Sequence, residues 1–264
     1  MKKKESLLWR FKKPNESRTH YILGTMHVSS EEAYAPVTMA KHFMEQCQVY
    51  AGEMNLDDPM LDQITQVFMN EEGLMLQDLI SEKKYEKYKK VIRKAFNIDL
   101  DQIAQFRPLV ISNMIAESVL TKTYDLALDH FLWQYAQALD MTMEGLESAA
   151  DQFAIMRSIP MESQLKALRS CTKNVSKFRK KVLHLSELYK KGELTQLYKS
   201  SKKSMGKLRK LMIYDRNEYM AQNLISLTEQ GATFCAVGAA HLAGGKGMLR
   251  KLNQAGFKLK PIYS

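Results

Sequence analysis

Two segments near opposite ends of the chain carry the residues best suited to chemistry. Tyr21-Ile22-Leu23-Gly24-Thr25-Met26-His27 and Phe234-Cys235-Ala236-Val237-Gly238-Ala239-Ala240-His241 each pass from an apolar run through Gly-x-x-His to a helix start. A glycine closing a strand lets the backbone turn sharply or approach a ligand. The histidine then projects above the edge of the sheet, where open α/β sheets place their sites. Two such imidazoles could ligate one metal ion or share acid–base work. One Gly-x-x-His occurs by chance; two in matching contexts form a pattern. Carboxylates stand in comparable places, with Glu53 after Val49-Tyr50-Ala51-Gly52 and Glu147 after Met143-Glu144-Gly145-Leu146. Two histidines and one or two glutamates suffice for a catalytic metal with open positions, or for a metal and a general base. Such donors suit zinc, manganese or cobalt without choosing among them. His20, His42, His130 and His184 lack a strand-end setting and read as structural. No G-x-S-x-G, phosphate-binding P-loop or HExxH is present.

The elements that must position these groups follow from periodicity. Residues 6–11 and 19–24, with the Lys12-Lys13-Pro14-Asn15-Glu16-Ser17 turn cluster between them, predict an antiparallel hairpin. Further strands are predicted at 48–54, 141–146, 233–238 and 257–263. Ser30-Glu31-Glu32 predicts a helix running to about Gln46. Helical patterning fills 56–139 and 149–229, with breaks near Ile159-Pro160 and Gly192, and Gly244–Leu252 opens a last helix. The expectation is one domain over 1–264: an α/β fold with a central mixed sheet from segments 6–55, 141–148 and 232–264, covered by the two helical insertions. Strands of one sheet lie about 4.8 Å apart, so their ends can bring distant residues into one cleft.

Composition narrows the class. The 264 residues are 45% hydrophobic and 26% charged, which excludes a disordered or fibrous chain, and the few glycines and prolines favour helices. Three widely spaced cysteines form neither a disulfide framework nor a thiolate zinc site. The seventeen methionines read as core filling before a Met-lined binding surface. Residues 165–210 hold 15 of the 39 Lys and Arg but only Glu187 and Glu193 of the 29 acids, leaving 24 basic and 27 acidic residues elsewhere. The net charge of +10 is therefore local. Leu165, Leu168, Val175, Phe178, Val182, Leu185, Leu188 and Tyr189 recur through the stretch at helical spacing, which predicts lysines facing outward. A solvated face is the simple reading, and contact with an anionic surface is the alternative. Aromatic residues are not interleaved as a nucleic-acid platform needs, so no specific nucleic acid is expected. The basic start Met1-Lys2-Lys3-Lys4 is not followed by a signal-type apolar run, and no transmembrane stretch is encoded. A cytoplasmic location is expected, or a secreted or periplasmic one if a leader has been removed.

The same motifs resemble the TraB/GumN family of Tiki-like and PrgY-like proteins. The resemblance rests on Tyr-Ile-Leu-Gly-Thr-Met-His at 21–27, Val-Tyr-Ala-Gly-Glu at 49–53 and Leu-Asp-His-Phe-Leu at 128–132. Glu-Gly-Leu-Glu-Ser with Gln152, Asp-Arg-Asn at 215–217 and Ala-Val-Gly-Ala-Ala-His-Leu-Ala-Gly at 236–244 continue it in order. It implies an erythromycin-esterase/ChaN-like fold and a protease dependent on a divalent metal (manganese, cobalt or zinc) acting on peptide or protein substrates. By match, His27, Glu53, Glu147 and His241 form the active site and its metal ligands. Arg216, in the Arg-Asn box, becomes the residue to stabilise an oxyanion or substrate. The second box departs from the family's Glu-x-Asp, reading Glu53-Met54-Asn55. Three other readings remain at this point: metal-free, esterase-like hydrolysis; haem or metal binding without turnover; and a degenerate adaptor working through the basic face.

Overall fold

A computed structural model of the chain describes residues 5–263, apart from the side chain at position 72. The basic start at 1–4 lies outside the described residues. Six segments form one mixed sheet: β1 (Leu8–Lys12), β2 (His20–Thr25), β3 (Val49–Met54), β4 (Thr142–Glu147), β5 (Thr233–Gly238) and β6 (Lys258–Ile262). Their spatial order is β4-β3-β5-β2-β1-β6. The four strands β4, β3, β5 and β2 run parallel, while β1 pairs antiparallel with both β2 and β6. The fold is thus the mixed-sheet α/β class predicted, with both ends of the chain in one sheet.

Burial explains the arrangement. β2 and β5 are buried along their whole length, as interior parallel strands covered on both faces are. β6 is the opposite case: Lys258 and Lys260 are exposed and Pro261 donates no hydrogen bond, which suits an edge. Because the parallel strands point one way, the residues following β2, β3, β4 and β5 emerge on the same side. Register fixes them further, with Thr25 opposite Gly238 and Met54 opposite Glu147.

Contacts divide the chain into two compact units. The first comprises residues 1–58, 122–151 and 185–264 and contains the whole sheet. Its core includes Phe11, Ile22, Leu23, Tyr50, Phe234 and Val237. The second comprises 59–121 and 152–184 and is helical, built on Leu76, Ile92, Leu100, Ile111, Ile115 and Leu168. Each predicted insertion therefore supplies residues to both units.

Local differences from the sequence reading have local causes. The helix predicted from Ser30 spans only Val37–Met44. Residues 31–36 instead make three-residue turns, Ala33 N–H to Ser30 O and Tyr34 N–H to Glu31 O. Pro36 offers no N–H and disfavours helical backbone at Ala35, so regular helix begins after it. Likewise, 244–247 is a turn and the last helix is Met248–Gln254. The basic stretch lies on helices Met161–Lys173, Val175–Lys190 and Leu194–Met205, with further breaks at Asn174 and Gly206. All eight apolar positions named for it are buried or half-buried. Lys166, Lys173, Lys177, Lys180 and Lys181 are exposed, as are Lys190, Lys191, Lys199, Lys202 and Lys203. No helix among the described residues is long and apolar enough to cross a membrane.

Candidate active site

The strand ends of the sheet unit bring together all five residues singled out from sequence. His27 follows β2, Glu53 lies near the end of β3, Glu147 ends β4, and His241 closes a short turn after β5. Arg216 comes from the helix Asp215–Gln230. A π-helical turn, Lys210–Tyr214, precedes that helix, and Arg216 Nη1 donates back to the Met212 carbonyl at 3.3 Å. Such turns reset the direction of a helix's side chains and recur at functional sites.

Glu53 is the hub. Its Oε1 accepts the Gly238 N–H at 2.5 Å and faces His27 Nε2 at 3.9 Å and His241 Nε2 at 3.8 Å. Its Oε2 accepts Arg216 Nη2 at 2.7 Å. Arg216 also bonds Glu147, with Nε 3.0 and 2.9 Å from the two carboxylate oxygens and Nη2 2.5 Å from Oε2. Glu147 is thus a salt-bridge partner whose two oxygens both face the guanidinium. The Arg216 and Glu147 side chains are only 10% and 3% exposed, so the ion pairs are shielded from solvent. Burial lowers the Arg216 pKa, but the two carboxylates outweigh it and hold the cation well above its ordinary range. Burial pushes Glu53 up; the flanking imidazoles, Arg216 and the Gly238 N–H reverse this and bring it to about 2.

The two histidines differ. His241 is buried, and burial lowers its pKa to about 4, so it is neutral at pH 7. Asn217 sets its tautomer. The Asn217 amide nitrogen donates to the carbonyls of His241 and Lys246, at 3.2 and 2.7 Å. Its oxygen must then accept from His241 Nδ1–H, at 2.6 Å, which leaves the Nε2 lone pair facing the site. That lone pair meets Arg216 Nη1 at 3.4 Å. His27 is more than half exposed and bonds Asp129 Oδ2 through Nδ1 at 3.1 Å. Desolvation pulls its pKa down, but the Asp129 bond and the Asp129 and Glu53 charges raise it to about 9. Asp129 is held well below the usual carboxylate range: burial opposes this, and its bonds to His130 and His27 prevail. His130 Nδ1 lies 3.6 Å from the same oxygen.

Asp129 and Asn217 are the site residues that the sequence reading did not assign. Both lie inside segments that it singled out, 128–132 and 215–217. His20, His42 and His184 stand outside the cluster.

Gly238 shapes the space between the donors. A Cβ placed there would sit 2.9 Å from Glu53 Oε1, 3.3 Å from His27 Nε2 and 3.6 Å from His241 Cδ2. Only a glycine leaves that cradle open. Its donor types, two imidazole nitrogens with their far nitrogens anchored and one carboxylate, suit a divalent ion such as zinc, manganese or cobalt. Among the described residues, no three His, Cys, Asp or Glu side chains are already drawn to ligand spacing around one point.

The TraB/PrgY/gumN family matches residues 7–261, nearly the whole chain. The chain belongs to that family. Neither a curated protein nor a solved structure matches it. Membership thus stands on the full span that carries the sheet and every residue of the cluster, and nothing narrower than the family is fixed by comparison.

Proposed function

We propose that this TraB/PrgY/gumN member is a metal-dependent hydrolase that cleaves peptide bonds in peptides or proteins. One observation carries the reading. Two imidazoles from turns at opposite ends of the chain face a single Glu53 oxygen around a space kept open by Gly238. His27, His241 and Glu53 would hold the ion, which when bound supplies Lewis-acid polarisation of a carbonyl and a more acidic water. Asp129 orients His27, and Asn217 keeps the His241 Nε2 lone pair turned inward. Glu147 holds Arg216 with its Nη1 toward the cleft, where it steadies negative charge developing on the carbonyl oxygen. Glu147, placed by resemblance among the ligands, serves in this reading to position Arg216.

A second reading draws on a specific contact. Arg216 Nη1 already meets His241 Nε2. In metal-free hydrolysis Arg216 Nη1 would turn from that lone pair to the oxyanion, leaving His241 Nε2 free to take a proton from water. Metal analysis of the purified protein, with a peptide-library assay in the presence and absence of chelator, separates the two. Cleavage that requires manganese, cobalt or zinc supports the first. Cleavage that survives complete chelation supports the second. A protein that binds haemin or metal and cleaves nothing rejects both in favour of capture without turnover.

A further inference from the structure

The site opens into a cavity of about 300 Å³ whose walls differ sharply in character. One end is polar, formed by His27, Glu53, Arg216 and His241. The other is apolar, and its residues come from four separate pieces of backbone. Leu197, Ser201 and Met205 recur every four residues along the helix Leu194–Met205, so one stripe of that helix faces the cavity. Leu185 contributes from the preceding helix, Met212 from the π-helical turn beside Arg216, and Met26 from the residue before His27. Leu185, Met205, Met212 and Met26 are all half-buried, and Met26 and Leu185 also pack against the core. Apolar side chains that leave part of their surface facing open space are available to a ligand there. Methionine suits such a wall, because its unbranched thioether adapts to different shapes.

From this arrangement we infer that the cavity is a side-chain subsite, taking an apolar residue of leucine, methionine or phenylalanine size next to the bond that is cleaved. The inference rests on the hydrolase reading and names its substrate class. The polar end receives the reacting carbonyl. The apolar wall begins at the neighbours of the polar residues themselves, Met26 beside His27 and Ile213 three residues before Arg216, so the side chain it takes belongs to a residue flanking that carbonyl. The volume is at the small end of ligand pockets, roughly 300–1,000 Å³, and fits a side chain or two. No carboxylate or lysine lines the apolar end, so a charged side chain placed there would lose its hydration without a partner.

The test uses the full chain, loaded with whichever metal sustains cleavage, and a fluorogenic peptide library varied at the residues flanking the bond. Leucine, methionine or phenylalanine at one flanking position should raise kcat/KM by about tenfold or more over glycine, aspartate or lysine. Met205→Glu should cut the leucine-to-glycine ratio to below about threefold, and Met205→Leu should keep it. No preference at either position, a preference for a charged residue, or a ratio that Met205→Glu leaves intact would overturn the subsite. If no peptide is cleaved under any condition, the hydrolase reading falls, and binding judges the subsite separately. With ¹³C-methyl methionine, N-acetyl-leucinamide should shift the methyl signals of Met26, Met205 and Met212, assigned by Met→Leu variants, while N-acetyl-asparaginamide should not. Unmoved signals, or equal shifts with both amides, reject the subsite on its own terms.

Discussion

Adding one methyl group at Gly238 should disable the site while leaving the fold in place. The backbone there has φ −52° and ψ 134°, open to any residue, so Gly238→Ala introduces no conformational strain. Its cost comes from the space the methyl takes. At 2.9 Å from Glu53 Oε1 the new carbon is too close, and the carboxylate must swing aside. Doing so breaks the bond from the Gly238 N–H, a charge-assisted interaction worth about 1.5–3 kcal/mol. With about 1.4 kcal/mol per factor of ten, that corresponds to roughly 10- to 150-fold in ion affinity or in kcat/KM. Steric exclusion from the cradle between His27 and His241 adds to it. Stability should fall by about 1.5–3 kcal/mol, the worth of the lost bond, with little added strain because Glu53 is the movable end of a side chain. The assays are titration of manganese or zinc by calorimetry, kcat/KM on the best peptide, and urea unfolding. Gly24→Ala is the control. There the added carbon meets Leu242 Cδ1 at 2.8 Å and the Ala239 backbone at 3.0 Å, so it should destabilise by about 1–3 kcal/mol through overpacking. A folded Gly238→Ala protein whose ion affinity and cleavage stay within threefold of wild type would refute the reasoning.

Arg216→Met leaves Glu53 and Glu147 buried without their shared cation and should cost about 3–5 kcal/mol in urea unfolding. Adding Glu147→Gln should restore part of that loss, and a double variant no better than the single one would contradict the ion-pair account. His20 is fully buried between Phe11 and Phe257, and burial lowers its pKa from 6.5 to about 4. The unfolded chain therefore takes up the proton first as pH falls, so this contribution is complete above about pH 6.5 and is lost on the way down to about pH 4. It is worth at most about 3 kcal/mol. His20→Phe should flatten the stability profile across that window; an unchanged slope would show that other groups set it. Exhaustive chelation should abolish peptide cleavage, with manganese, cobalt or zinc restoring it, and His241→Ala should bind none of them tightly. Undiminished turnover at a metal content far below stoichiometric would remove the ion from the mechanism.

The sheet was legible chiefly because its central strands β2, β3 and β5 are short apolar runs, buried along most or all of their length. Each of the six predicted segments is a strand in place. Helix limits were less legible where a proline acts at a distance, as Pro36 does on the residues before it. The two acceptors behind the histidines were hidden for a different reason. Asp129 stands in the first turn of the helix Leu128–Ala138, where an acid is ordinary because it complements the helix dipole. Its pairing with His27 depends on a tertiary contact that no local spacing announces. Asn217 is fully buried inside a helix, and only the three-dimensional placement of the His241 and Lys246 carbonyls turns its amide into a tautomer lock. The salt bridge between Glu147 and Arg216 is equally non-local. Sequence showed that carboxylates stand near the ends of two strands; it could not show that both bind Arg216 and that Glu53 alone also faces the two imidazoles.

The strand order accounts for why two Gly-x-x-His motifs in matching strand-end settings do different work. β5 lies between β2 and β3, so the turn after it is the central one and His241 sits among β3, β5 and the helix that carries Arg216 and Asn217. Surrounded by protein and one fixed cation, that imidazole is neutral, with its lone pair committed to the site. β2 lies on the outer side of β5, next to the antiparallel pair β1 and β6. The turn after it is open to solvent, and His27 is held there by a carboxylate that favours its protonated form. The glycines divide in the same way. Gly24 has no room for a side chain because Leu242 and Ala239 pack on it, whereas Gly238 has none because the site does. A sequence repeat of strand, glycine and histidine is thus converted by its place in the sheet into one buried, fixed donor and one exposed, charge-coupled donor. An ion between them must displace the proton favoured on His27 while leaving His241 unchanged, whereas a water can accept from His27 Nε2–H and donate to the His241 Nε2 lone pair.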